Sequence, residues 1–513
     1  MKKTLTGLFF WMTCTMPSMG QGQFNCPAES PVRRDDSALY QIVAGPHQIR
    51  LVDEGALAMQ LRLDMIERAQ CFILLEYIIY YTDEAGRMVA QALIAKKRKS
   101  PHVRIRLLLD SPPPVWVMLD DYHVSELIKN GIEVRYYNPG WNLRNVTHRN
   151  HRKLFMTEQE AITGGRNIGN HYFDLSDAFN FDDRELWIKG PGLGALAEVF
   201  EMYWQSNRVK IPRWPLPPNP HTLSREPLIP DSTDETGLFW PPTDAGMTDK
   251  SRFLALQAVY AEKKKYAHHF ITPDERDRYL RSRILEIATL QNALQPVFVV
   301  DTLSFISDHP DFHHPNANVT GLAAYPFMRT ARDSVWLENG YFIPQKAEKR
   351  MIREWMKQGV KVRLLTNSRA STNEFAPNTL TQWRAKELGR DGMGVWLYYG
   401  KIPTNQLPDS TFSQHAVWTT HAKTILVDNR DVWIGTMNFD PRSVRRLNAE
   451  MAIIVHNNPI FAQHVSKHLY ERLTQSQPMN MSGPDARERL RSAKQWFKVL
   501  FLHFGVAVAE SQF

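Results

Sequence analysis

The chain is poor in cysteine, with only Cys14, Cys26 and Cys71 among 513 residues. That scarcity excludes a disulfide-dense scaffold and a Cys-rich metal cluster. Cys71 opens an apolar run and reads as a buried structural thiol, while one Cys26–Cys71 disulfide stays open as the alternative. A long apolar run is also missing: the N-terminal stretch around Leu8, Phe9, Phe10, Trp11 and Met12 is too short for a comfortable membrane span. Wholesale disorder is excluded by 43% hydrophobic and 23% charged residues. The net charge of +8 suits anionic partners such as lipid head groups or nucleic acid, but plain surface charge explains it as well.

What is present starts at the N-terminus. Lys2 and Lys3, the apolar stretch, and small residues at Ser18 and Gly20 have the layout of a secretory signal peptide over residues 1–22. An uncleaved anchor is the rival. Either reading directs the chain to secretion or to the cell envelope. A chain of this length exceeds one hydrophobic core, so two domains are expected.

The order of apolar runs repeats. Cys71–Tyr80 reads as a buried strand, Asp83–Lys99 as a helix, and Val103–Asp110 and Gly131–Tyr137 as strands. In the second half Asp333–Ile343, Val360–Asn367 and Gly394–Tyr399 read as strands, with a helix over Gln345–Lys357. The expected fold is a duplicated α/β domain with buried strands covered by helices, divided as 23–235 and 236–480. The proline-rich stretch Ile211–Pro242 joins the halves, and Lys250–Tyr325 shows no counterpart in the first half. The tail, 481–513, reads as a terminal or amphipathic helix.

Each half ends in a His-x-Lys motif. The second copy is His421-Ala-Lys423 with Asp428, followed by Gly435-Thr436-Met437-Asn438 and, further on, Glu450. The first is His151-Arg-Lys153 with Glu158, then Gly164-Gly165-Arg166-Asn167, and later Asp183-Arg184-Glu185. Strand alternation would put each imidazole and ammonium on one face. These residue types suit a phosphodiester. Lysine and asparagine hold its non-bridging oxygens, one histidine attacks phosphorus, and the other protonates the leaving alcohol. A carboxylate behind each histidine fixes its tautomer. Glu450 is the expected orienter of His421, and Glu185, with Asp183 as the alternate, that of His151.

The paired pattern resembles the phospholipase D superfamily, over roughly residues 45–475. Its flanking phrases are similar to those of bacterial cardiolipin synthases and secreted or effector phospholipases D. The resemblance implies two α/β/α sandwiches about a pseudo-twofold axis, one composite active site, a phosphohistidine intermediate on His151 with His421 as acid/base, no cofactor and no obligatory metal. It also implies a glycerophospholipid substrate at a membrane surface, with no nucleic acid and no obligatory protein partner. Hydrolysis to phosphatidic acid is the leading expectation, phosphatidyl transfer to a lipid alcohol the alternative, and a nuclease of the same superfamily the second alternative. Glu158 stands where the family has Asp, in a turn one residue shorter than in the second copy, and Thr436 stands for the usual Ser. These two and Asp428 are expected to support the site without touching phosphate.

Weaker features are His309, His313 and His314, read as a polar loop, and His148, read as a neighbour of the site. Lys263–Lys265 with His268-His269 reads as a solvated face. Glu76 and Asn339 read either as site-lining or as buried structural groups.

Overall fold

The computed structural model describes Cys26 and residues 36–110, 119, 121–139, 148–176, 178–212, 273–372, 374–400, 416–444 and 447–482. The expected signal segment, almost all of the proline-rich crossing, Lys263–Lys265 with His268-His269, and the tail beyond 482 lie outside the described residues.

In each half a continuous apolar run forms a strand buried on both faces, as parallel pairing requires. Phe72–Tyr77 pairs in parallel with Arg104–Asp110, which pairs in parallel with Glu133–Tyr137. Ser334–Asn339, Lys361–Asn367 and Gly394–Tyr398 repeat this arrangement. Helices Glu84–Lys99 and Lys346–Lys357 make the crossovers. The first starts where Asp83 accepts the Gly86 N–H at 3.1 Å, satisfying a donor that the helix leaves free.

The two sets merge into one sixteen-stranded sheet. At its centre Tyr40–Val52 runs antiparallel to Phe298–Ser307, each being the innermost strand of its half. Outward from that seam both halves place strands in the same order, so a pseudo-twofold relates them. Part of the 250–325 segment therefore does have a counterpart, contrary to the sequence reading. Its Phe298–Ser307 strand matches Tyr40–Val52, whose Gly45-Pro46 interruption and polar alternation hide a strand that shifts register between Ala44 and His47.

Cys26 and Cys71 form a disulfide, with Cα atoms 5.3 Å apart, which corrects the expectation of a buried free thiol. Among the described residues no helix is long and apolar enough to cross a membrane.

Candidate active site

The first His-x-Lys segment lies just ahead of the strand Leu154–Thr157, and the second runs into the equivalent strand Lys423–Val427, where Lys423 is the first residue and His421 stands before it. Each histidine is extended and held by the other half. The His151 N–H donates to the Ala449 carbonyl at 2.9 Å, and the His421 N–H donates to the Asp182 carbonyl at 3.0 Å. Short parallel pairs run alongside: Arg149-Asn150 with Asn448-Ala449, and Phe179–Asp182 with Val417–Thr420.

The carboxylates follow the same exchange. His151 Nδ1 lies 2.9 Å from Glu450 Oε2, and His421 Nδ1 lies 2.7 Å from Asp183 Oδ2. This corrects both expected pairings: Glu450 serves His151, not His421, and Asp183 rather than Glu185 is its counterpart. The register explains the second correction. Gly164 pairs with Glu185 as Gly435 pairs with Ala452, so Glu185 matches Ala452 and Asp183 matches Glu450. Glu185 instead ion-pairs, fully buried, with Arg62 and Arg166. Arg166 stands where the second copy has Met437, so the two departures compensate each other.

The two carboxylates are seated differently. A Cβ on Gly165 would lie 2.0 Å from Asp183 Oδ1, so this position must lack a side chain for Asp183 to fit. Asp183 Oδ1 also accepts the Arg184 N–H at 2.8 Å. The equivalent of Gly165 is Thr436, whose hydroxyl accepts the Met451 N–H at 3.0 Å and donates to Glu450 Oε2. Ser443 Oγ lies 2.7 Å from Glu450 Oε1. Burial opposes ionisation of Asp183, but His421 and then Lys423 and Arg166 outweigh it and hold the carboxyl at about 2. Burial wins at Glu450 and pushes its carboxyl up to about 8 despite Lys153, Thr436 and Ser443.

Lys153 and Lys423 are buried, and each donates from Nζ to the carbonyl of its own motif's histidine, at 2.7 Å for Lys153. Burial lowers Lys153 to about 7 and Lys423 to about 8. Burial and both ammonium groups keep His421 down at about 3 and His151 well below its ordinary value. The mutual influence of all four groups makes one site. Its lysines are buried and disfavoured as cations, and a bound anion would favour their charged form.

Asn167 and Asn438 are buried nearby, and each keeps its Oδ1 without a partner. Asn167 Nδ2 donates to Tyr172 Oη at 2.9 Å. The two ends of an amide exchange by a flip, so each asparagine can turn a donor toward a bound oxygen.

Glu158 and Asp428 are equivalent strand clamps. Asp428 accepts the N–H groups of Arg332, Asp333 and Ser334 at 2.8 Å each, and Glu158 accepts those of Gln70, Cys71 and Phe72 at 2.8–3.2 Å. The extra methylene of Glu158 supplies reach from the shorter turn. Glu76 and Asn339 are structural: Glu76 accepts from Asn150 Nδ2 at 2.6 Å, and Asn339 Oδ1 accepts the Tyr341 N–H at 3.2 Å. His148 stacks on Phe312 at 3.8 Å. His309 and His314 approach Asp36, but each ring's Nδ1 accepts a backbone N–H, from Asp311 and Asn316 respectively.

Sequence reasoning also missed the aromatic rings round His421, from Phe181, Tyr172 and Tyr341, because apolar residues near a motif look like core.

A duplicated sheet with histidines exchanged across its seam defines a phosphodiester-processing enzyme of the phospholipase D type. The sequence profile of the family described as "Cardiolipin synthase, PLD-like domain" matches residues 63–185 and 326–473, more than half of the chain. The chain belongs to that family. It is 26% identical to cardiolipin synthase C of Escherichia coli over 441 residues, covering 82% of each chain. It is 23% identical to cardiolipin synthase 1 of Bacillus anthracis over 413 residues, 80% of this chain and 63% of that one. The crystal structure of phosphatidylserine synthase from Haemophilus influenzae superposes with a TM-score of 0.59 at 13% identity, covering 90% of this chain and 94% of that one, a likeness of fold. The family and these two cardiolipin synthases support phosphatidyl transfer of the phospholipase D superfamily type.

Proposed function

We propose that this enzyme transfers a phosphatidyl group from one glycerophospholipid to the alcohol of another, in the manner of a cardiolipin synthase. The observation that carries the reading is the exchanged pair of His–carboxylate contacts around two buried lysines, Lys153 and Lys423. The donor phosphate enters between them, with the lysines and the turned Asn167 and Asn438 amides on its non-bridging oxygens.

An anionic phosphodiester bound beside His421 draws a proton onto its Nε2, and as His151 Nε2 attacks phosphorus the P–O bond to the leaving alcohol breaks with that proton passing from His421 to the alcohol oxygen. The phosphorus is then bound to His151. An acceptor alcohol gives its proton to His421, its oxygen attacks phosphorus, and the P–N bond breaks with its electron pair returning to His151. Glu450, in its ionised form, holds the proton of His151 Nδ1 through the first step, and ionised Asp183 stabilises the imidazolium of His421.

The N-terminal basic and apolar segment, together with the Cys26–Cys71 disulfide, supports an oxidising, envelope-facing location. The substrate would then be met at a membrane surface.

The test is to incubate the full chain with vesicles of phosphatidylglycerol, or of phosphatidylcholine, and identify products by mass. Cardiolipin from phosphatidylglycerol is expected. Phosphatidic acid as the main product would return the acceptor to water, and absence of both would remove the lipid reading.

A further inference from the structure

The rings around the two histidines differ. The Phe181 ring centroid lies 4.7 Å from that of His421, Tyr172 lies at 5.8 Å and Tyr341 at 6.4 Å. The wall continues outward: Phe181 stacks on Tyr172 at 4.6 Å and meets Phe179 at 5.0 Å, and His171 lies 5.4 Å from Tyr172 and 5.2 Å from Tyr81. Among the described residues no ring contact reaches His151, whose charged surroundings are Glu450, the two lysines, Arg442 and Asp440.

Both halves contribute to the wall. Phe181 lies on the Phe179–Asp182 strand, which pairs with Val417–Thr420 immediately before His421, so pairing across the seam brings this ring against the imidazole. Tyr172, Phe181 and Tyr341 are all buried. Tyr172 touches the site twice, since its hydroxyl also accepts from Asn167.

We infer that Tyr172, Phe181 and Tyr341 form the subsite for the acceptor alcohol and select a lipid alcohol over water. The inference rests on the transfer reading above, in which leaving and entering alcohols share the His421 side of phosphorus. Aromatic faces pack against the C–H surface of a glycerol unit and offer few hydrogen bonds to a free water. Rings packed against His421 give a water beside the phosphohistidine few partners to hold it in line, whereas the C–H surface of an alcohol packs on them. His421, the imidazole that these three rings touch, takes the proton of that alcohol, and the P–N bond to His151 breaks on the opposite side.

The experiment measures the ratio of cardiolipin to phosphatidic acid made by the full chain on phosphatidylglycerol vesicles. The variants are Phe181→Ala and Tyr341→Ala, with Phe181→Leu and Tyr341→Leu as companions that lose less volume and retain an apolar side chain without the ring. A fall in the ratio by about tenfold or more in the alanine variants, with total lipid consumption falling less than the ratio, is expected. The leucine variants should fall between these and wild type, and they carry the test should an alanine variant fail to fold. An unchanged ratio in folded variants that still consume lipid overturns the inference and leaves the transfer reading standing. If wild type itself makes neither product, or mainly phosphatidic acid, the transfer reading falls first and the inference with it.

Discussion

His151 and His421 occupy equivalent places in the two halves, yet their surroundings have diverged. His421 faces Asp183, a short acid seated over Gly165 and held ionised at about 2. His151 faces Glu450, a longer acid tied to the Thr436 and Ser443 hydroxyls and pushed up to about 8. Rings wall in His421, while charged groups surround His151. Duplication supplied two similar histidines, and small changes beside them, Gly against Thr and Asp against Glu, made two proton environments. An ionised partner suits a histidine that takes and returns a proton at the alcohol. A partner that titrates near neutrality ties the attack of the other histidine to pH.

The largest effect should come from removing either imidazole. His151→Ala and His421→Ala are each expected to lower kcat/KM by about 10³-fold or more. Near-normal turnover in either would break the single composite site. Next come the carboxylates. Asp183→Asn should cost about 10²–10³-fold in kcat, because a neutral amide can favour the wrong tautomer of His421. At pH 7 Glu450→Gln should cost only about tenfold, since most wild-type molecules then already carry the protonated carboxyl that Gln resembles, and the loss should grow toward pH 9 as the wild-type carboxyl ionises. Steady-state rates that rank the two the other way round would reverse the comparison.

The pH response sharpens it further. While Glu450 keeps its proton it can donate to His151 Nδ1, which places the imidazole's own proton on Nε2 and blocks attack. The carboxyl's ordinary value is raised to about 8, so phosphoenzyme formation at saturating lipid should rise as pH climbs through that value. A fall over the same range in a rapid-quench measurement would instead make discharge of Lys153 and Lys423, lowered to about 7 and about 8, the controlling titration and overturn the role given to Glu450. The smallest effect on chemistry belongs to Glu185. Glu185→Ala should destabilise the fold by about 3–5 kcal/mol by leaving Arg62 and Arg166 without their buried carboxylate. In protein that remains folded, kcat should stay within about threefold of wild type. A thermal melt paired with a rate measurement checks both parts.

Much of the fold was legible because parallel strands buried on both faces leave continuous apolar runs, as at Phe72–Tyr77 and Ser334–Asn339. The innermost strands were not, since Tyr40–Val52 mixes polar residues with a Gly-Pro break and finds its partner across the seam. The histidines, lysines and asparagines of the site were legible from motif spacing. The carboxylate partners were not, because pairing across the pseudo-twofold is invisible to a reading that treats each half alone. Asp183 was displaced by Glu185 for a similar reason. A strand that opens on Glu185, just after Arg184, looks polar, and only the buried Arg62 and Arg166 reveal why a carboxylate belongs there.

The central claim is that both halves form one site that passes a phosphatidyl group to a lipid alcohol. The most direct measurement is a mass balance on phosphatidylglycerol vesicles treated with the full chain, following glycerol, cardiolipin and phosphatidic acid together. Glycerol and cardiolipin appearing in equal amounts, with little phosphatidic acid, is the predicted result. Glycerol matched by phosphatidic acid, or no glycerol released at all, would contradict it.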